Sequence, residues 1–198
     1  IENLFKYQIK FNLDVAYGKM AIKKSSGVFK YSHPGYKNYS YSGGRNELVD
    51  LLIHDMYMPS FGTIIKKNVL KDFYNKNYYK KLICEYGGEF KAHDYDLFIN
   101  LAKKRKKFGF LNETVCVWCP NKNSQSGENY FNSGQACYES AFLFNKYSKQ
   151  ERIDKKSISL ISSRIKNKLK HKKTNSSNQY KISKHYYKFL SEIKSHNI

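Results

Sequence analysis

Two aspartates spaced two apart, Asp94 and Asp96 in the segment His93-Asp94-Tyr95-Asp96-Leu97-Phe98, are the side chains best placed to do chemistry. A carboxylate is ionised at neutral pH and can accept the proton of an attacking hydroxyl. Leu97, Phe98, Leu101 and Ala102 form one apolar helical face starting near His93. Asp94 is therefore expected in the first turn, where the helix dipole stabilises negative charge. A purely structural N-terminal carboxylate would look the same in sequence. Asp96 reads equally as a substrate contact and as support for the helix start. Gly62-Thr63 and Gly87-Gly88 read either as close approaches of backbone to a substrate or as strand packing and an ordinary turn. His54-Asp55, shortly before Pro59, has the look of a helix-end or surface feature.

Cysteine chemistry is a separate question. Cys84, Cys116, Cys119 and Cys137 include one Cys-x-x-Cys, a spacing used by zinc and redox sites. Thr114 to Trp118 reads as a strand, whose alternation sends Cys116 and Cys119 to opposite faces. No second close pair of Cys or His completes a four-ligand set, so free thiols and no metal site are expected. With no signal peptide visible, that fits a reducing cytoplasm.

The elements that must position these residues follow from periodicity. Residues 2–12 carry Leu4, Phe5, Ile9 and Phe11 in a helical pattern, and Asp14 to Ile22 reads as a strand. Lys23 to Gly44 is a hairpin or exposed loop. Asn46 is expected to cap a helix through Leu48, Val49, Leu51, Leu52 and Ile53. Pro59 then introduces a buried strand over Ser60 to Ile65, and Asn68 caps a short helix after it. The helix from His93 is expected to end in the basic run Lys103 to Lys107 with Gly109 as its stop. Phe108 to Leu111 and Thr114 to Trp118 read as two short strands joined at Asn112-Glu113. A polar loop over residues 120–128 and a helical pattern over 129–147 follow. Beyond Lys149, Ile158, Ile161, Ile165 and Leu169 make one helical stripe among lysines.

At 198 residues, 40% of them apolar, the chain can bury one sizeable core, and the longest apolar runs are far too short to span a bilayer. It opens without an initiator Met in what already reads as helix, so the natural N-terminus is expected upstream. The formal charge of +20 points to nucleic acid, to an anionic membrane or to a phosphorylated substrate. Lys, Asn, Ile and Tyr are over-used while Arg is scarce, a bias of A- and T-rich coding sequence that leaves most such lysines as solvated surface. The excess in the final fifty residues resists that explanation.

Five pieces stand in order: Glu47-Leu48-Val49-Asp50-Leu51-Leu52; Met58-Pro59-Ser60-Phe61-Gly62-Thr63-Ile64-Ile65-Lys66-Lys67; His93-Asp94-Tyr95-Asp96-Leu97-Phe98-Ile99-Asn100-Leu101-Ala102; Phe110-Leu111-Asn112-Glu113; and Val117-Trp118-Cys119-Pro120-Asn121-Lys122-Asn123-Ser124-Gln125-Ser126. Together, over residues 48–130, they resemble the acceptor-side half of a family-2, GT-A-type glycosyltransferase. The resemblance implies an α/β fold: a partial GT-A, Rossmann-like domain over residues 1–149, with a mixed sheet flanked by helices, followed by a basic helical tail over 150–198. It implies that Asp94 is the general base of an inverting sugar transfer, with Asp96, Gly62, Thr63, Ser124 and Ser126 on the substrate. The donor would be a nucleotide sugar and the acceptor a bacterial surface glycan or lipid-linked glycan. The complete enzyme would need a divalent cation, Mg or Mn, whose Asp-x-Asp motif belongs to a nucleotide-binding half with no counterpart here. Cys119 and Asn121 also stand where the family has Arg and the His that helps hold the metal-diphosphate unit.

The tail is expected either to lay its basic face, residues 155–173, on an anionic membrane, to pack on the domain, or to remain disordered. The first places the protein in the cytoplasm, at the inner face of the cell membrane. The competing reading is a basic nucleic-acid-binding module using some of the 18 Tyr and 13 Phe as stacking surfaces. Their scatter through the chain speaks against it.

Overall fold

Val15 to Lys24 forms strand β1, and its first four residues are all buried, as a strand covered on both faces requires. The structure, a computed structural model, describes residues 1–31, 36, 47–54, 56–71, 73, 90–119, 130, 135–148 and 154–170. The chain separates into two compact units: Ile1–Lys81 with Asp94–Pro120, and Leu82–His93 with Asn121–Ile198.

In the first unit a mixed, open, four-stranded sheet is built around β1. One edge of β1 pairs in parallel with β4 (Phe108–Trp118), from Val15 opposite Phe108 to Ile22 opposite Trp118. The other edge is shared end to end by two antiparallel strands. β3 (Thr63–Ile65) pairs with Val15 to Tyr17, and β2 (Gly27–Lys30) pairs with Ala21 to Lys24. The tight β1–β2 hairpin accounts for the Ser- and Gly-rich start of the 23–44 segment.

Helix α1 (Glu2–Lys10) closes on Asn12, whose φ of 49° lets Leu13 N donate to Gln8 O at 2.9 Å and Asn12 N to Ile9 O at 3.1 Å. This turn delivers Leu13 into a cluster with Leu4 and Ala16, against which Tyr7, Phe11, Ile64, Leu111 and Val115 pack. Alternation along β1 directs Tyr17 to the other face, where its ring lies 5.9 Å from Tyr57 and 5.3 Å from Phe110. Tyr36 stacks on Phe110 at 5.4 Å. Helix α2 (Glu47–His54) buries Leu48, Leu51 and Leu52, as its pattern predicts, and the Tyr57 hydroxyl donates to buried Glu47 at 2.6 Å. Its proposed cap, Asn46, lies outside the described residues.

Several expectations need correction. Ser60 to Ile65 is not one buried strand. Residues Ser60–Gly62 form a 3₁₀ turn, closed by Gly62 N donating to Pro59 O at 2.9 Å, and only the half-buried Thr63–Ile65 is extended. Asn68 caps nothing, because α3 (Lys67–Lys71) already contains it. Helix α4 (His93–Lys103) does end in the expected basic run, but the residue that stops it is Arg105, not Gly109. Arg105 has φ of 54°, and Lys106 N donates to Leu101 O at 3.1 Å while Arg105 N donates to Ala102 O at 2.9 Å. Gly109 lies inside β4, where a Cβ would stand 2.2 Å from Leu13 Cδ1, so close packing under the end of α1 is what requires the glycine. Nor do residues 108–118 make two strands and a turn. β4 is continuous; Leu111 pairs with Gly18 and Thr114 with Lys19, leaving Asn112 and Glu113 as an exposed bulge.

The second unit contains α5 (Gln135–Ser148) and α6 (Lys155–Lys170). Asp154 starts α6: Ser157 N and the Ser157 hydroxyl both donate to its carboxylate, and these bonds hold its pKa below the usual value. The expected tail helix is therefore present. Its stripe, however, is not laid bare along its length, because Ile161 is fully buried and the Arg164 guanidinium sits over the Phe144 ring of α5. Among the described residues no helix is long and apolar enough to cross a membrane.

Candidate functional site

Asp94 occupies the first turn of α4, half-buried, with Oδ1 accepting from Tyr95 N at 2.9 Å. Asp96 sits in the same turn but only 1% of it is exposed, and its carbonyl oxygen accepts from Asn100 Nδ2 at 2.9 Å. The two carboxylates thus differ in burial: Asp94 is half-exposed, and Asp96 is part of the interior. Between them Tyr95 is buried, and its hydroxyl donates to Leu51 O at 2.8 Å, fastening the start of α4 to α2. A connection of four residues, 104–107, returns the chain from α4 into β4.

A residue that sequence reasoning missed anchors the approach to this turn. Glu139 on α5 is 1% exposed, and its carboxylate is saturated by four donors. Oε1 accepts from Lys91 N at 3.0 Å and Gln135 Nε2 at 2.8 Å; Oε2 accepts from Ala92 N at 2.9 Å and the Tyr130 hydroxyl at 2.7 Å. Lys91 and Ala92 are the last residues before α4. The available signal was the spacing Gln135, Glu139, Leu143, which puts a carboxylate on the stripe that α5 buries.

The remaining candidates divide. A Cβ on Gly62 would stand 2.5 Å from Cys116 Sγ and 2.9 Å from Pro59 Cγ, so the close approach that Gly62 permits is made by its own chain. The Thr63 hydroxyl donates to Pro59 O at 2.8 Å, closing the same turn. Ser124, Ser126, Gly87-Gly88 and Asp55 lie outside the described residues, while His54 is the last residue of α2. Cys116 is in β4, opposite Met20, and is a free thiol whose pKa is raised by desolvation; Cys119 follows the strand, free and exposed. Among the described residues no group of three or more His, Cys, Asp or Glu side chains is arranged to hold a metal ion. The cation expected of a complete transferase therefore has no fitting ligand set among them.

No protein-family model and no curated protein sequence matches this chain.

Proposed function

We propose that this chain supplies the acceptor side of a glycosyl transfer from a nucleotide sugar, with Asp94 as the base. The observation that carries the reading is the contrast at the start of α4: Asp94 is half-exposed at a helix N-terminus while Asp96 is buried. In the step proposed, the Asp94 carboxylate takes the proton of the acceptor hydroxyl as its oxygen attacks the anomeric carbon. The bond from that carbon to the nucleotide diphosphate breaks on the opposite face, inverting the configuration. The α4 dipole favours negative charge at this position, and the Tyr95 anchor limits the travel of the chain beside it. The donor and its cation would be held by a nucleotide-binding half outside residues 1–198. A surface or lipid-linked glycan is the acceptor class that the sequence resemblance favours.

The test is transfer of labelled sugar from a panel of nucleotide sugars by the full native gene product. Asp94→Asn keeps size and hydrogen bonding but not basicity, so kcat should fall by about 10²–10⁴ with little change in donor KM. Full turnover in that variant would remove Asp94 from the role.

A second reading, a basic binding module, is favoured by the end of the sheet at which β1 and β4 begin. There Lys66 N donates to Asp14 O at 3.0 Å and Lys107 N to Asp14 Oδ2 at 2.9 Å. These bonds gather Lys66, Lys67 and the run Lys103 to Lys107, and Lys104 lies 4.1 Å from the Phe73 ring centre. Tight, salt-sensitive binding of a single-stranded oligonucleotide, lost when Lys104 to Lys107 are neutralised, would favour it.

A further inference from the structure

Arg164 shares one face of α6 with Ser157 and Ile161, both buried. Its guanidinium carbon lies 4.5 Å from the centre of the Phe144 ring on α5. Nε, Nη1 and Nη2 are all withdrawn from solvent, and among the described residues none of the three has a hydrogen-bond acceptor. This combination is costly. A guanidinium cannot shed its proton at any ordinary pH, so it cannot escape burial by becoming neutral as a lysine would. The ring face offsets part of the lost hydration of the cation, but it satisfies no N–H. What is missing is an acceptor in the guanidinium plane, where parallel N–H groups match two oxygens of one oxyanion.

We propose that Arg164 is an anion-binding residue: a phosphate group, held by the N–H edge of the guanidinium above Phe144, completes the packing of α6 on α5. The sign of the surroundings selects the chemistry. Residues 155–170 contain Lys155, Lys156, Lys166, Lys168 and Lys170 and no acidic residue, a field that favours a multiply charged phosphate over a singly charged carboxylate. Because the nitrogens are enclosed, the anion reaches them as α6 lifts from α5, and once bound it holds the helix down. The site is independent of the role assigned to Asp94.

The test is thermal unfolding of the 198-residue chain in sodium chloride and, at matched ionic strength, in inorganic phosphate or pyrophosphate. A hundredfold excess over Kd should raise the Tm by about 5–11 °C. Arg164→Met keeps the length and apolar contact of the side chain without its charge. It should abolish the rise while melting in chloride at the same or a higher temperature, because an unpaired buried charge has been removed. Arg164→Lys, which keeps the charge but loses the paired N–H edge, should bind pyrophosphate at least about tenfold more weakly by calorimetry. An equal phosphate effect in wild type and Arg164→Met would show anions acting through surface lysines and overturn the proposal. So would the absence of any effect, or an Arg164→Met chain that is less stable than wild type or unfolded in chloride. Vesicles containing phosphatidylglycerol identify the source of the phosphate. Arg164-dependent sedimentation with them assigns a lipid headgroup, and its absence beside a positive pyrophosphate response assigns a soluble phosphate.

Discussion

Replacing Glu139 by Gln asks how firmly the approach to α4 is held. The wild-type carboxylate uses all four of its acceptor positions, two on each oxygen, for Lys91 N, Gln135 Nε2, Ala92 N and the Tyr130 hydroxyl. Glutamine offers one oxygen and one NH₂. In its best orientation the oxygen takes the Lys91 and Gln135 donors, and the NH₂ faces Tyr130, whose hydroxyl can turn and accept. Ala92 N–H is then left facing another donor inside the protein. One unsatisfied buried N–H, with the loss of charge from the two bonds that remain, amounts to about 2–3 kcal/mol. For a chain of this size that is a fall in Tm of about 4–12 °C. Glu139→Ala strands all four donors and should cost about 3–5 kcal/mol, in the range seen on breaking buried polar networks. Urea unfolding gives the free energies, and hydrogen exchange at the amides of Lys91 and Ala92 localises the effect, since those two N–H groups should exchange markedly faster in Glu139→Gln. A change under about 0.5 kcal/mol, with exchange at both amides as in wild type, would refute the anchor and make Glu139 an ordinary buried side chain.

Two further substitutions report on packing and on pH. Gly62→Ala should destabilise by about 1–3 kcal/mol because its methyl would overlap Cys116 Sγ. Shortening the neighbour in Gly62→Ala/Cys116→Ala should recover part of that loss, and a double-mutant cycle with no coupling would deny the contact. Lys146 on α5 has its pKa lowered to about 8 by desolvation. Its unfolded form holds a proton up to higher pH than its folded form, so stability should rise as pH increases from about 8 toward 10. Lys146→Met should flatten that rise in urea titrations across pH 8 to 9.5, and an unchanged slope would show that the ammonium is well hydrated in the folded state.

How much was legible in the sequence depends on how local each cause is. α1, β1, α4 and α6 are periodic over nine residues or more, and their positions follow from pattern alone. β4 was misread because Asn112-Glu113 has the composition of a turn. What keeps the strand extended through it is the parallel edge of β1, about ninety residues earlier in the chain, which absorbs the two extra residues as a bulge. Gly109 was misread for a related reason: a glycine shortly after a helix looks like a helix stop, yet the side chain that demands it is Leu13. The place of Asp94 in a first turn was legible, since an acidic residue ahead of an apolar helical face leaves a local mark. Glu139 was not, because two of its partners are the backbone groups of Lys91 and Ala92, which carry no side-chain signature.

Geometry also narrows what the two aspartates can do together. Residues two apart on a helix project about 200° apart, so a substrate held against Asp94 is not also held against Asp96. Their burial agrees: α4 turns Asp96 inward while Asp94 stays half-exposed. Mechanisms in which two carboxylates act as an acid–base pair on one substrate are therefore excluded for this motif, and the proposed base would act with Asp96 as a structural neighbour. That division makes the anchor at Tyr95 meaningful. A lone base must be held to within a fraction of an ångström of its hydroxyl. The Tyr95 hydroxyl on Leu51 O fixes the chain immediately after Asp94. If Asp94 were only a helix-start carboxylate, Tyr95→Phe, which removes the bond to Leu51 O, would lower stability and nothing else. If Asp94 is the base, the same substitution should also lower kcat at temperatures where the protein is fully folded, leaving donor KM unchanged. Stability and turnover therefore have to be measured on the same variant, because the combination separates the two roles.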